Sequence, residues 1–329
     1  MSAHRHPAPL DVEEGNPARV LRAAVEALHT GQRAALAAVL ETEGSTYTRA
    51  GTLALFTDHG HVGWLSGGCL EPEIERRAMQ AVDRDALEWL EIDTRDDDAL
   101  FSGNAVGCRG RQRVVLLPLP ALTRLEPLFS AWLHGDGTLD MTVQTNGAVT
   151  CQFADVRMRE QVHGSPPDWP GILDAWTLRW RRPPRVLIYG AGPEAVPLQP
   201  LLQGLGWSVS INEPRATWRA RIPAAPFTEE ALTRLRPDAA LVMHHNFERD
   251  LVALQLLGVS RVPFIGLLGP ERRREDLFQV LPESLRILLL PRLRSPIGMP
   301  LGGRGPEAIA LSIAAQLQAW RHGVHGELQ

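Results

Sequence analysis

The stretch Arg185-Val186-Leu187-Ile188-Tyr189-Gly190-Ala191-Gly192-Pro193-Glu194-Ala195 limits what this chain can fold into more than any other. A short apolar run ending in Gly-x-Gly-x-x-Ala is the turn by which a strand feeds a helix and brings its backbone close to a diphosphate. The spacing continues in step: a helical stretch to Leu205, then Gly206, a strand over 208–212, and the acidic Glu213 about 20 residues on. Further apolar runs at 239–243 and 263–268 alternate with helical stretches. Strands alternating with helices make a parallel sheet wound on both faces. Residues 185–329 are therefore expected to form a Rossmann-like doubly wound domain. Gly190, Gly192, Glu213 and Arg215 are its candidate ligand contacts, with a nucleotide or NAD(P) as one ligand. Glu194 opposes that ligand, because its carboxylate stands where phosphate approaches the helix end. Pro197 and Pro200 lie inside the first helix, where proline removes hydrogen bonds.

The other half centres on Gly63-Trp64-Leu65-Ser66-Gly67-Gly68-Cys69-Leu70-Glu71-Pro72-Glu73. A strand over 62–65 breaks at two glycines, presents a thiol and a carboxylate, and enters a helix at Pro72, a favoured first position. Adjacent glycines let backbone N–H groups converge on an anion. The positive end of the helix beside Cys69 favours its thiolate, which attacks sulfur or binds metal. The bland alternative is a tight turn whose cysteine is a small buried residue.

Around this loop the pattern reads as a helix over 17–29, a strand over 34–40, and a polar glycine-bounded loop over 43–51 that holds Ser45 and Arg49. Next come a hairpin of 52–57 with 62–65, a strand over 86–92, an acidic loop over 93–104, and a strand over 111–117. That last strand follows Gly107-Cys108-Arg109-Gly110. A helix over 122–133 leads to a second hairpin, 141–145 with 148–153, joined by Asn146-Gly147, the strongest short hairpin signal. Residues 160–184, rich in proline, arginine and tryptophan, read as a linker. The expected organisation is thus α/β, with an N-terminal α+β domain over 1–159, a linker over 160–184 and the Rossmann-like domain over 185–329. Near the end, Gly298, Gly302 and Gly303 mark a flexible loop that enters a helix at Pro306 and suits either a ligand or close packing.

Composition removes several functions. The net charge of −4 gives no support for nucleic-acid or membrane-surface binding. All 34 basic residues are arginine, which excludes Walker-type phosphate loops and lysine chemistry. The three cysteines, Cys69, Cys108 and Cys151, are too few and scattered for a disulfide framework, so a reducing cytoplasm is expected. The first ten residues lack the apolar core of a signal peptide, and no run approaches the ~20 residues of a membrane span.

Taken together, the motifs resemble the XdhC/CoxI family, accessory factors of xanthine dehydrogenase and related molybdenum hydroxylases. The resemblance rests on Gly44-Ser45-Thr46 through Arg49 and Gly51, on Ser66-Gly67-Gly68-Cys69-Leu70-Glu71, and on Gly107-Cys108-Arg109-Gly110. In the second half it rests on Gly190-Ala191-Gly192, Asn212-Glu213-Pro214-Arg215, Met243-His244-His245-Asn246 with Asp250, and Ser295-Pro296-Ile297-Gly298. Arg109, Glu194, Glu213, Pro270 and Gln316 depart from the family pattern. The resemblance implies a protein that binds the molybdenum cofactor, supports its sulfuration and delivers it to a hydroxylase client, with a cysteine desulfurase as sulfur source. A homodimer is one assembly open to it. In that frame Cys69, Cys108 and Glu71 are the reactive residues, and Ser45, Arg49, Ser66, Gly67 and Gly68 bind the cofactor. Cys108 has Arg109, Arg111 and Arg113 as an electropositive setting. Cys151, in a hairpin strand, is read as structural, and no metal-ligand spacing is present. An NAD(P)-dependent oxidoreductase and a non-catalytic nucleotide-binding module are the alternatives.

Overall fold

The computed structural model describes residues 10–12, 15–95, 109–169, 171, 173–226, 228 and 230–323. The chain divides into two compact units, Met1–Arg182 and Pro183–Gln329. In the first, β1 (Leu10–Val12), α1 (Pro17–Thr30), β2 (Ala34–Gly44), β3 (Leu53–Thr57) and β4 (Gly60–Val62) come first. Then follow α2 (Glu71–Arg84), β5 (Glu88–Asp93), β6 (Gly110–Pro118), a 3-10 segment (Leu119–Leu125) and α3 (Glu126–His134). The unit ends with β7 (Thr138–Gln144), β8 (Ala148–Phe153), β9 (Val156–Gln161) and β10 (Ala175–Arg181). Two five-stranded sheets result, ordered β4-β3-β2-β6-β5 and β1-β10-β7-β8-β9.

Local chemistry sets these boundaries. The Asn16 side chain accepts the Arg19 N–H and Pro17 opens α1, while Gly31 closes it in the left-handed conformation. β2 is buried on both faces, which is why it reads as an unbroken apolar run. Its Leu36, Ala38 and Leu40 share one core with α1, α3 and the second sheet, and Ala35, Ala37 and Val39 share another with α2. The strand expected over 62–65 stops at Val62 because Gly63 turns the chain at φ 90°. A Cβ there would meet the Leu53 carbonyl at 2.7 Å. The segment expected to be linker supplies β10, which pairs with β7 along its whole length and with β1. Trp176, Leu178 and Trp180 alternate into the core, so the tryptophans are packing residues rather than marks of irregular chain.

The second unit holds β11 (Arg185–Tyr189), α4 (Ala195–Gly204), β12 (Ser208–Asn212), α5 (Ala216–Arg219), α6 (Ala231–Leu235) and β13 (Ala239–Val242). It continues through α7 (Phe247–Val259), β14 (Phe264–Leu267), α8 (Glu271–Val280), α9 (Glu283–Leu289), β15 (Leu293–Arg294) and α10 (Pro306–Arg321). One parallel sheet runs β12-β11-β13-β14-β15. Val186 and Ile188 pack with α4 and α10 on one face, while Leu187 and Tyr189 pack with α7 and α8 on the other. This is the expected doubly wound domain. β12 and β13 lie on opposite sides of β11, so the switch point of the sheet lies at β11 and β13, where such folds place ligands.

Candidate functional site

α2 begins at Glu71, and its first carboxylate folds back on the loop before it. Glu71 is 3% exposed. Its Oε1 accepts the backbone N–H groups of Leu65 at 3.1 Å and Ser66 at 2.7 Å, and its Oε2 accepts the Ser66 hydroxyl. Ser66 Oγ in turn accepts the Leu70 N–H at 3.1 Å and lies 3.7 Å from Cys69 Sγ. Burial pushes the Glu71 carboxyl up, but the hydrogen bonds from Ser66 and Leu65 outweigh it and hold it below the usual range. An ionised carboxylate engaged at both oxygens shapes the loop; the geometry gives Glu71 that part rather than the reactive one expected of it.

The loop so held leaves Cys69 exposed. Among the described residues, no acceptor pairs with the backbone N–H groups of Gly67, Gly68 or Cys69. Consecutive backbone donors without an internal acceptor, beside a thiol, are the kind of group that can take an anion if they converge on it. A small cavity of about 20 Å³, room for a single water, lies where this loop meets Ser45, Tyr47, Gly110 and Gln112. The Ser45 N–H donates to the Arg109 carbonyl at 2.9 Å, and a Cβ on Gly110 would strike the Ser45 carbonyl at 2.6 Å. The chain leaving Cys108 is thereby fixed to the Ser45 loop, though Cys108 itself lies outside the described residues. Arg49 is exposed and does not line the cavity.

The electropositive setting expected for Cys108 needs correcting at two of its arginines. Arg113 is buried and pairs with Glu41 at 2.9 Å and Glu91 at 2.7 Å, and Arg111 pairs with Glu43 at 2.6 Å. Their charge is matched by acids on the neighbouring strands. Cys151 is buried in the core, where desolvation pushes its thiol up.

At the Rossmann turn, Gly190 has φ 103°, and a Cβ there would meet the Met243 carbonyl at 2.6 Å. Glu213 is fully buried and accepts the Ala191 N–H at 2.7 Å. Its carboxylate also takes the Arg215 N–H and a forked guanidinium contact at 2.7 and 2.8 Å. Glu194 Oε2 sits 2.8 Å from where a Cβ on Gly192 would stand and 3.1 Å from His245 Nε2. The Glu194 carboxylate thus stands where a diphosphate would approach the turn, while Glu213 holds the β12-end position at which this fold places the acid that meets a ribose, here engaged by Ala191 and Arg215. The Gly298 N–H donates to the Gln316 side-chain oxygen at 2.8 Å, and a Cβ at Gly298 would strike the Ser312 hydroxyl. Gly302 and Gly303 are exposed at φ 81° and 85°.

Burial pushes the Glu213 carboxyl up, but the bonds from Arg215 and Ala191 overcome this and hold it at about 2, against 4.5 ordinarily. Its folded value is depressed, so its stabilising effect is present above about pH 4.5 and fades as pH falls towards 2. The free-energy difference between wild type and Glu213→Gln, measured by urea unfolding, should shrink across that window. A difference independent of pH would show that Glu213 titrates as in a free peptide.

Two sequence families match the chain. The XdhC and CoxI family covers residues 27–92, and the XdhC Rossmann domain covers residues 186–317. The chain belongs to the XdhC and CoxI family. It is 27% identical to a Bacillus subtilis protein described as a probable subunit of xanthine dehydrogenase, over 88% of this chain and 94% of that one. It is 24% identical to the Escherichia coli "Molybdenum cofactor insertion chaperone PaoD", over 92% of this chain and 88% of that one. A crystal structure described as a xanthine dehydrogenase from Bacillus halodurans shares the fold, with a TM-score of 0.70, 24% identity, and coverage of 92% and 97% of the two chains.

In this XdhC-type chain the structure also gathers residues that the sequence does not single out as site residues. His244 and Asp250 meet at the end of β13, and Arg273 from α8 joins them. The sequence marks the pair only as part of the Met243-His244-His245-Asn246 motif with Asp250, without a role for it. Among the described residues no helix is long and apolar enough to cross a membrane.

Proposed function

We propose that this XdhC-type protein binds the molybdenum cofactor in the cytoplasm, supports its sulfuration, and delivers it to a xanthine dehydrogenase-type hydroxylase. It acts as a maturation factor rather than as a stand-alone enzyme, with a cysteine desulfurase as sulfur source. The observation that carries this reading is the loop of Ser66 to Cys69: an exposed thiol next to three open backbone donors, held by a buried carboxylate. Open backbone donors suit the phosphate or dithiolene anions of the cargo. A cysteine sulfur is a soft partner for such a metal centre and can carry sulfane sulfur. The likeness to the chaperone PaoD favours the same cargo.

The test is the pterin released by oxidation of the full chain purified from cofactor-replete cells. Wild type should release fluorescent oxidised pterin, and Cys69→Ala should release several-fold less with an unchanged unfolding midpoint. No pterin from wild type, together with saturable NADH binding, would overturn the reading. Equal release from both proteins would remove Cys69 from it.

A further inference from the structure

In a chain of which 22% of the residues are charged, residues 195–212, 295–303 and 308–320 carry no charge at all. The fold brings these stretches together on one side of the parallel sheet. α4 and α10 pack side by side over Val186 and Ile188. The Arg321 guanidinium donates to the Leu205 carbonyl at 3.0 Å and ties their C-terminal ends, so the two helices run in the same direction. The loop before α10 lies against that helix, its Met299 N–H on the Ser312 carbonyl at 3.1 Å. Gly302 of the same loop is exposed, and a Cβ there would meet nothing within 4 Å.

The outward face is apolar as well as uncharged. Val196, Leu301 and Leu311 are 50, 51 and 53% exposed, and Leu201 is exposed further along α4. Single exposed apolar residues are ordinary, but several on a surface cleared of charge mark a protein interface. Ala308, Ala315 and Ala319 are only half-buried and leave α10 low enough for another helix to come close. Charge returns at the two ends of α10, as Glu307 in its first turn and Arg321 in its last. The fourteen positions between them are close to four whole turns, so both lie on one side of the helix, about 21 Å apart.

We propose that this face joins the chain to a second copy of itself about a two-fold axis, with α10 antiparallel to its copy. The uncharged centre then meets itself without like-charge repulsion, and Glu307 of each copy comes opposite Arg321 of the other. A net charge of −4 keeps copies apart elsewhere, and a partner selected by charge finds none at this centre. Two helices about 10 Å apart, the longer about 24 Å in length, offer roughly 500 Å² per copy; the pair buries roughly 1,000 Å², where specific interfaces begin. The assembly does not depend on what the Cys69 loop binds.

Sedimentation velocity of the full chain over a range of concentrations tests this. Wild type should sediment as a species of twice the chain mass. Leu311→Arg sets like charges on the centre of the face and should raise the dissociation constant at least about tenfold, with an unchanged circular dichroism spectrum. Val259→Arg, at an exposed apolar position of α7 on the other side of the sheet, should leave the dimer intact. Glu307→Arg and Arg321→Glu should each weaken the dimer alone and recover it when mixed, since only the mixed pair sets opposite charges together. A monomer at every concentration, a dimer indifferent to Leu311→Arg, weakening by Val259→Arg instead, or no recovery on mixing would overturn the proposal. So would a monomer whose α4 and α10 amides gain protection from hydrogen exchange only when a xanthine dehydrogenase-type hydroxylase is added, which would give the face to that partner.

Discussion

Glu71→Ala is expected to release the Ser66 to Cys69 loop and to abolish cofactor retention, with a loss of about 2–4 kcal/mol from the N-terminal unit. The carboxylate serves three donors: the N–H groups of Leu65 and Ser66 and the Ser66 hydroxyl. A buried donor left without a partner costs about 1–3 kcal/mol, and water entering the opened loop recovers part of that. Glu71→Gln is the sharper probe. Its oxygen can still take the two backbone donors, but its amide presents N–H to Ser66 Oγ. The serine hydroxyl then has to turn round, and Cys69 loses its fixed neighbour. The glutamine variant should therefore fold with a loss of about 1 kcal/mol and retain an intermediate amount of pterin. Urea unfolding and released pterin fluorescence measure the two effects. Wild-type stability and retention in Glu71→Ala would mean that the carboxylate does not hold the loop.

The doubly wound half is readable in the sequence because its signals are local. Glycine spacing, a short apolar strand and an acidic residue at a fixed offset lie within one strand-turn-helix unit, and the alternation beyond repeats it. The Asn146-Gly147 hairpin is readable for the same reason. β10 escapes the reading although Trp176, Leu178 and Trp180 alternate as a half-buried strand should, because the prolines and arginines around them outweigh the pattern. Ser66 and Glu71 do not have the spacing of a capping box, so their bond, which sets the loop, has no sequence signature. The arginines near Cys108 mislead for a different reason. Glu41 and Glu43, Glu91 and Asp93, and Arg111 and Arg113 each repeat at two-residue spacing, which puts each pair on one face of its strand. That they face one another depends on pairing between strands about 70 and 20 residues apart, and no local pattern encodes it.

That same ladder carries a comparably large expected loss of stability, in Arg113→Ala. β6 lies between β2 and β5, and the register sets Arg113 directly beside Glu41 on one side and Glu91 on the other. The guanidinium is 2% exposed, bridges both carboxylates, and lies 5.1 Å from the centre of the Trp169 ring. Glu41 also accepts the Trp176 indole N–H at 2.7 Å, so the aromatic wall and the ion pairs are joined. Removing one partner of a buried pair costs about 3–5 kcal/mol, because the remaining charge is left uncompensated. Here two like charges remain, flanking the emptied position, but each is 27% exposed and water screens part of the repulsion. About 3 kcal/mol is the expected loss, read from urea unfolding followed by tryptophan fluorescence. Arg113→Lys should lose less, since an ammonium reaches one carboxylate well but lacks the planar fork for two. The discriminating variant adds Glu41→Gln and Glu91→Gln to Arg113→Met, which removes all three charges and keeps much of the volume. If the loss comes from stranded carboxylates, the triple variant should recover most of it. If it stays as unstable as Arg113→Ala, the lost packing against Trp169 is the cause instead. The consequence reaches the candidate site in either case: the ends of β2 and β6 carry Ser45 and Gly110, whose close packing shapes the cavity beside Cys69. Pterin retention should therefore fall in Arg113→Ala and return in the triple variant along with stability.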